Sequence, residues 1–159
     1  MGRGMTEKKA IVYVDMDHVL CDYATGFARH KAEYPNLAFP QSVPGLYESL
    51  DPMPDAIESY MWLHEHSKLD VYVLTAPSIK NPHCYAEKRI WVENHLGMAV
   101  VQNLIISPHK HLSKGDYLID DMPSGKGQDR FDGKLILYGS EEFPNWVSVT
   151  KYFKSQIEC

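Results

Sequence analysis

Residues 11–20, Ile11-Val12-Tyr13-Val14-Asp15-Met16-Asp17-His18-Val19-Leu20, form an apolar, β-branched run that stops abruptly on two carboxylates spaced i and i+2. Such a run gains by hiding apolar surface on both faces, as the strands of a parallel sheet do. Acid at the end of a buried strand costs free energy unless something offsets it. Side chains at i and i+2 of an extended strand point the same way, so Asp15 and Asp17 are able to reach one site. A hard cation with a phosphate would offset their mutual repulsion, because such cations take oxygen ligands. From this pair alone, an ordinary strand followed by an Asp-rich turn would read the same.

The remaining apolar runs favour the buried strand. Residues 71–74, 104–106, 117–119 and 135–138 are further short runs, with helical stretches between them. That alternation predicts an α/β fold: a parallel sheet with helices on both faces. One helix is expected over 55–67, opened by Pro54 and Asp55. A second is expected over 84–96, closed by Gly97, and a short last one over 146–155. Residues 25–51 differ, beginning helix-like and then turning Pro-rich at Pro35, Pro40 and Pro44. An insert after the first strand lies at the carboxyl edge of the sheet, where α/β proteins bind ligands. It reads as a small cap on a core made of 8–24 and 52–159, although a plain surface loop would look alike.

With 159 residues, the chain fits a single domain of common size. Its net charge of −5 and lack of a long basic run argue against coating a nucleic-acid polymer. No apolar run approaches the roughly 20 residues of a membrane-spanning helix, and the start lacks the apolar core of a secretion signal. Cys21, Cys84 and Cys159 are odd in number and widely spaced, which fits free thiols in a reducing cytoplasm. Met1-Gly2-Arg3-Gly4-Met5-Thr6 satisfies a myristoylation pattern, but a dispensable leader before Met5 is the simpler reading.

The polar residues at strand ends carry the chemistry. Asp15 and Asp17 follow the first run, Thr75 the second, Lys110 the third, and Asp120-Asp121 the fourth. In a parallel sheet these ends open onto one edge and so share a crevice. Each alone has a bland reading: Thr75 as a strand cap, Lys110 as a surface charge, Asp120-Asp121 as a turn before Pro123. Together, carboxylates and a lysine suit a Mg²⁺-phosphate site, with acids on the metal and ammonium and hydroxyl groups on phosphoryl oxygens. Asp15 is the natural nucleophile and Asp17 the natural acid/base. His64 with His66, and His109 with His111, read as structural or solvated rather than zinc-binding. Ser124-Gly125-Lys126-Gly127 lacks the spacing of a phosphate-cradling loop and is set aside.

Asp15-Met16-Asp17, Leu74-Thr75-Ala76-Pro77, Lys110 and Leu118-Ile119-Asp120-Asp121-Met122-Pro123 occur in an order that resembles the haloacid dehalogenase superfamily of phosphatases. Together with Glu87-Lys88-Arg89-Ile90-Trp91-Val92-Glu93, they are most similar to its 5′(3′)-deoxyribonucleotidase family. The likeness spans about 11–123. It implies a Rossmann-type parallel sheet with an inserted cap, Mg²⁺ dependence and phosphomonoester hydrolysis through an aspartyl-phosphate. Carried over by position, it implies Asp15 as nucleophile and metal ligand, and Asp17 as acid/base that also gives its backbone carbonyl to the metal. Thr75 and Lys110 would bind phosphate, and Asp121 the metal. Asp120 would support Lys110 or a metal-bound water, and Tyr23 would face the base of a nucleoside monophosphate.

Two departures stand out. His18 replaces the glycine that usually follows the second Asp, crowding a turn where the family keeps no side chain. The cap is shorter than in the animal nucleotidases and lacks their tryptophan-bearing segment. Two rival readings remain open here: a small-metabolite or sugar phosphatase with the same chemistry, and a non-catalytic phosphate-binding domain. The second has no need of the whole set Asp15, Asp17, Lys110 and Asp121.

Overall fold

The computed structural model describes residues 8–158, so the N-terminal pattern at 1–6 and Cys159 lie outside the described residues. Among these residues, five strands form one parallel sheet: β1 (Ala10–Val14), β2 (Leu69–Thr75), β3 (Leu104–Ile106), β4 (Tyr117–Asp120) and β5 (Lys134–Leu137). Their order is β3-β2-β1-β4-β5, and Val14 lies opposite Val73 on one side and Ile119 on the other. The chain builds outward from β1 through β2 to β3, then returns to the other side of β1 for β4 and β5. Connections therefore leave β1 and β4 in opposite directions. The crevice between their carboxyl ends is where such sheets place ligands.

Among the described residues there are five α-helices: α1 (Tyr23–Glu33), α2 (Ala56–Glu65), α3 (Cys84–Leu96), α4 (Met98–Val101) and α5 (Trp146–Ile157). The helix expected over 84–96 has those ends. α2 is shorter than the run that suggested it, and α4 was not foreseen. Asp55 precedes α2 in a left-handed conformation, with φ +61°, and makes no side-chain cap bond. α5 opens with a reciprocal capping box, Asn145 with Ser148, and runs on to Ile157.

Strand alternation divides the core cleanly. Val12, Val14, Val71, Val73, Ile119 and Ile136 face one way and pack with Tyr60, Leu63, Trp91, Val149 and Phe153 from the helices. Tyr13, Leu74 and Leu118 face the other way and meet Phe131 in a smaller cluster. No residue of an α-helix belongs to that second cluster. The expected α/β parallel sheet with helices is present, and the α-helices named above pack in the first cluster. The connections from β3 to β4 and from β4 to β5 make 3₁₀ turns, Lys110–Leu112 and Gln128–Arg130.

The segment 25–51 contains most of α1 and the 3₁₀ turn Pro40–Ser42. It is fastened to the body rather than floating over it. Leu46, Tyr47 and Leu50 are buried in the main core. Trp91 Nε1 donates to the Leu50 carbonyl at 2.7 Å, Asn81 Nδ2 to the Gln41 carbonyl at 2.8 Å, and the Gly45 N–H to Glu87 Oε1 at 2.5 Å. Gly26 allows α1 to lie against this segment, since a Cβ there would run into Leu50.

Candidate active site

The ends of β1 and β4 are joined by a hydrogen bond from the Asp15 N–H to the Ile119 carbonyl, at 2.9 Å. This sets Asp15 beside Asp120 and Asp121, and carboxylate oxygens of the three lie within 4.8 Å of one another. Lys110 sits between them, almost fully buried, with Nζ 2.8 Å from Asp15 Oδ1 and 2.5 Å from Asp120 Oδ2. Its own N–H donates to the Lys126 carbonyl at 2.8 Å, which aims the side chain inward. Burying one ammonium among carboxylates is tolerable because each partner offsets the other's desolvation. A cleft of about 230 Å³ opens over this group.

Burial pushes the Asp15 carboxyl well above the usual carboxylate range, and the charges of Asp120 and Asp17 add to this against the pull of Lys110. Asp121 is also raised, chiefly by burial. Burial acts to lower Lys110, but the attraction of Asp15 and Asp120 outweighs it and holds the ammonium pKa above its ordinary value.

The paired acids of the fourth strand divide their tasks. Asp120 is committed to the protein: Oδ2 accepts from Lys110 and, at 3.4 Å, from Gln128 Nε2, while Oδ1 accepts from the Met122 N–H at 3.0 Å. Asp121 borders the cleft and its side chain is hydrogen-bonded to that of Asp15, with no tie to a lysine among the described residues. It is the freer of the two to take a cation.

Asp17 is brought to the same cleft but is not part of the three-carboxylate group. Its Oδ2 accepts from Lys88 Nζ at 3.1 Å, and Oδ1 is shielded from solvent with no protein partner among the described residues. Lys88 is fully buried and also donates to Thr75 Oγ1 at 2.6 Å. Thr75 is therefore buried behind the cleft wall, with its hydroxyl engaged by Lys88 rather than standing free. Its neighbour Ala76 borders the cleft instead. Tyr23, at the start of α1, does present its ring to the cleft.

Lys88, Lys126 and Gln128 were missed as site residues from sequence. Lys88 lies in the stretch that resembled the family, but a lysine on a helix reads by itself as a solvated charge. Lys126 belongs to the glycine-flanked loop set aside for its spacing, yet it lines the cleft, with Gly125 and Gly127 at φ +104° and +90° on either side. Asp15, Asp17, Asp120 and Asp121 bring four carboxyl groups to the site against three ammonium groups, those of Lys88, Lys110 and Lys126, so the formal balance is acidic. An all-oxygen donor set with that residual charge fits a hard divalent cation.

Comparison with known proteins agrees with this geometry. Residues 31–145 match the model of the family described as 5′ nucleotidase, deoxy (Pyrimidine), cytosolic type C protein. A protein of Vibrio phage KVP40 assigned as a 5′(3′)-deoxyribonucleotidase is 37% identical over 98% of this chain and 91% of its own length. The cytosolic-type 5′(3′)-deoxyribonucleotidase of Homo sapiens is 30% identical over 87% of this chain and 77% of its own. Among solved structures, the L-2-haloacid dehalogenase of Xanthobacter autotrophicus shares the fold. Its TM-score is 0.63 at 11% identity, covering 92% of this chain and 99% of that one. The magnesium-bound haloacid-dehalogenase-type hydrolase YfnB of Bacillus subtilis gives a TM-score of 0.59 at 11% identity, covering 87% and 90%. With the sheet order, the strand-end carboxylates and this likeness over nearly its whole length, the chain belongs to the 5′(3′)-deoxyribonucleotidase family of the haloacid dehalogenase superfamily.

Proposed function

We propose that this protein is a Mg²⁺-dependent phosphomonoesterase that releases phosphate from nucleoside monophosphates. The observation that carries the reading is the buried Asp15–Lys110–Asp120 chain beside Asp121, opening on a cleft that also presents an aromatic ring, Tyr23. Asp15 and Asp121 are the residues to hold Mg²⁺ by their carboxylates, with the Asp17 backbone carbonyl. When bound, the ion supplies positive charge that ionises these carboxyls and neutralises phosphoryl oxygen.

The chain's own residues do the rest. A carboxylate oxygen of Asp15 attacks phosphorus, and the bond from phosphorus to the nucleoside oxygen breaks. Asp17 gives its proton to that departing oxygen, then takes one from a water that attacks the aspartyl-phosphate. Phosphate leaves and Asp15 is restored. Lys110 neutralises charge on the phosphoryl group while Asp120 holds it in place. Lys88 acts through Asp17, fixing the direction of its carboxyl and tying it to Thr75, so Thr75 serves the phosphate site from behind rather than by open contact. The buried thiols of Cys21 and Cys84 fit a reducing cytoplasm. Among the described residues no helix is long and apolar enough to cross a membrane.

A phosphate-release assay on a panel of nucleoside monophosphates and sugar phosphates tests the reading. Excess chelator is expected to abolish turnover and added Mg²⁺ to restore it. Full activity in chelator would sink the metal mechanism, and a preference for sugar phosphates would move the protein to the metabolite phosphatases.

Recognition of the base is assigned to Tyr23. Stacking of a base on an aromatic ring is worth roughly 1–3 kcal/mol, which corresponds to about one to two decades in binding. Tyr23→Ala should therefore lower kcat/KM for nucleoside monophosphates much more than for a small phosphate ester. Equal losses on both would mean that the ring only packs against Phe27 and Tyr47.

A further inference from the structure

We propose that His18 is a specificity-determining residue, its imidazole forming with the Tyr23 ring the wall that grips the nucleoside part of the substrate. The proposal rests on the nucleoside monophosphate reading and deepens it.

His18 has φ +66°, a left-handed conformation that residues with a Cβ disfavour. The loop dictates this. The Met16 carbonyl accepts from the N–H groups of Val19, Leu20 and Cys21 at 3.1, 2.7 and 2.9 Å, and the His18 N–H donates to the Cys21 carbonyl at 2.9 Å. Glycine would meet that backbone demand at no steric cost. The side chain at 18 thus adds strain, and because it is exposed it adds nothing to the core. Side chains held in such conformations cluster at ligand clamps and active sites.

The position of the ring gives it something to do. It borders the cleft and meets Tyr23 edge-on, with centroids 5.4 Å apart and planes at 65°. Phe27 and Tyr47 brace Tyr23, each with its centroid 5.9 Å away, and neither borders the cleft. His18 and Tyr23 are therefore the two rings the cleft offers to a ligand. Attack occurs at Asp15 and the departing oxygen is protonated by Asp17, the residue before His18. A leaving nucleoside runs from Asp17 past His18 to Tyr23, so the imidazole meets the sugar and the near edge of the base.

The test compares His18→Gly, His18→Ala and His18→Asn with the wild-type chain in Mg²⁺. The substrates are deoxythymidine monophosphate and ethyl phosphate, which has no ring to grip. In all three variants the ratio of kcat/KM for the nucleotide to that for ethyl phosphate should fall about tenfold. The loss should lie in KM for the nucleotide, as expected for uniform binding. His18→Gly should melt at or above the wild-type temperature, by up to about 4 °C, because strain is released, and His18→Ala should melt below it.

An unchanged ratio in His18→Gly overturns the proposal. So does a ratio kept by asparagine and lost by glycine, which would assign the role to polarity instead of the ring. A glycine variant that melts well below wild type overturns it as well, since the ring would then be holding up the loop. Wild-type protein with no preference for the nucleotide over ethyl phosphate would defeat the nucleotidase reading and this proposal together. A wild type that prefers the nucleotide, with His18→Gly equally selective, defeats the proposal alone.

Discussion

Asp15→Asn is expected to lower kcat by roughly 10⁴-fold or more while the protein stays folded, because it removes the attacking carboxylate and little else. The amide keeps an oxygen that is able to accept from Lys110, now 2.8 Å from Asp15 Oδ1. It also removes a charge that burial and the neighbouring Asp120 and Asp17 already disfavour. Loss of the favourable pair with Lys110 and relief of that repulsion act in opposite directions, so the melting temperature should move by only a few degrees. The measurement is phosphate release together with a thermal melt and acid-quench trapping of the phosphoenzyme. A folded variant that turns over near the wild-type rate would require a different nucleophile.

Lys88→Met should have the next largest effect, and its pattern is more telling than its size. Methionine fills much of the same volume but leaves Asp17 without its cation and the Thr75 hydroxyl without its donor. Breaking a buried pair by removing one partner costs about 3 kcal/mol or more, so the variant should unfold at clearly lower denaturant. If Lys88 aims Asp17 as the acid, kcat should fall by about two to three decades on a nucleoside monophosphate, whose departing alkoxide needs a proton. On p-nitrophenyl phosphate, whose leaving group departs as a stable anion, the loss should be several-fold only. Equal losses on both esters would make Lys88 a purely structural residue.

Much of the fold is legible in the chain because apolar runs and their end residues are local signals. The runs ending at Val14, Leu74, Ile106 and Ile119 all lie in or make up strands, and their polar successors lie along one sheet edge. Local signals fail where a residue's surroundings come from distant segments. Lys88 and Glu87 are consecutive on α3 and both buried, which no helical periodicity foretells. Their partners are Asp17, Thr75 and the N–H of Gly45, which belong to other elements. Gln128 and Lys126 likewise enter the site only because the 3₁₀ turn after Gly127 folds back on Lys110 and Asp120.

The sequence by itself determined the α/β sheet, the edge at which the candidate site lies, and the carboxylates and lysine present there. Each of these follows from residue type and strand period. It also exposed His18 as a side chain in a turn suited to glycine. Only the tertiary structure decided that Lys110 is buried between Asp15 and Asp120, with Gln128 as a further partner of Asp120. It alone set the hidden link from Lys88 to Asp17 and Thr75. These depend on which distant groups end up within about 3 Å of one another, a matter of packing that no local pattern encodes.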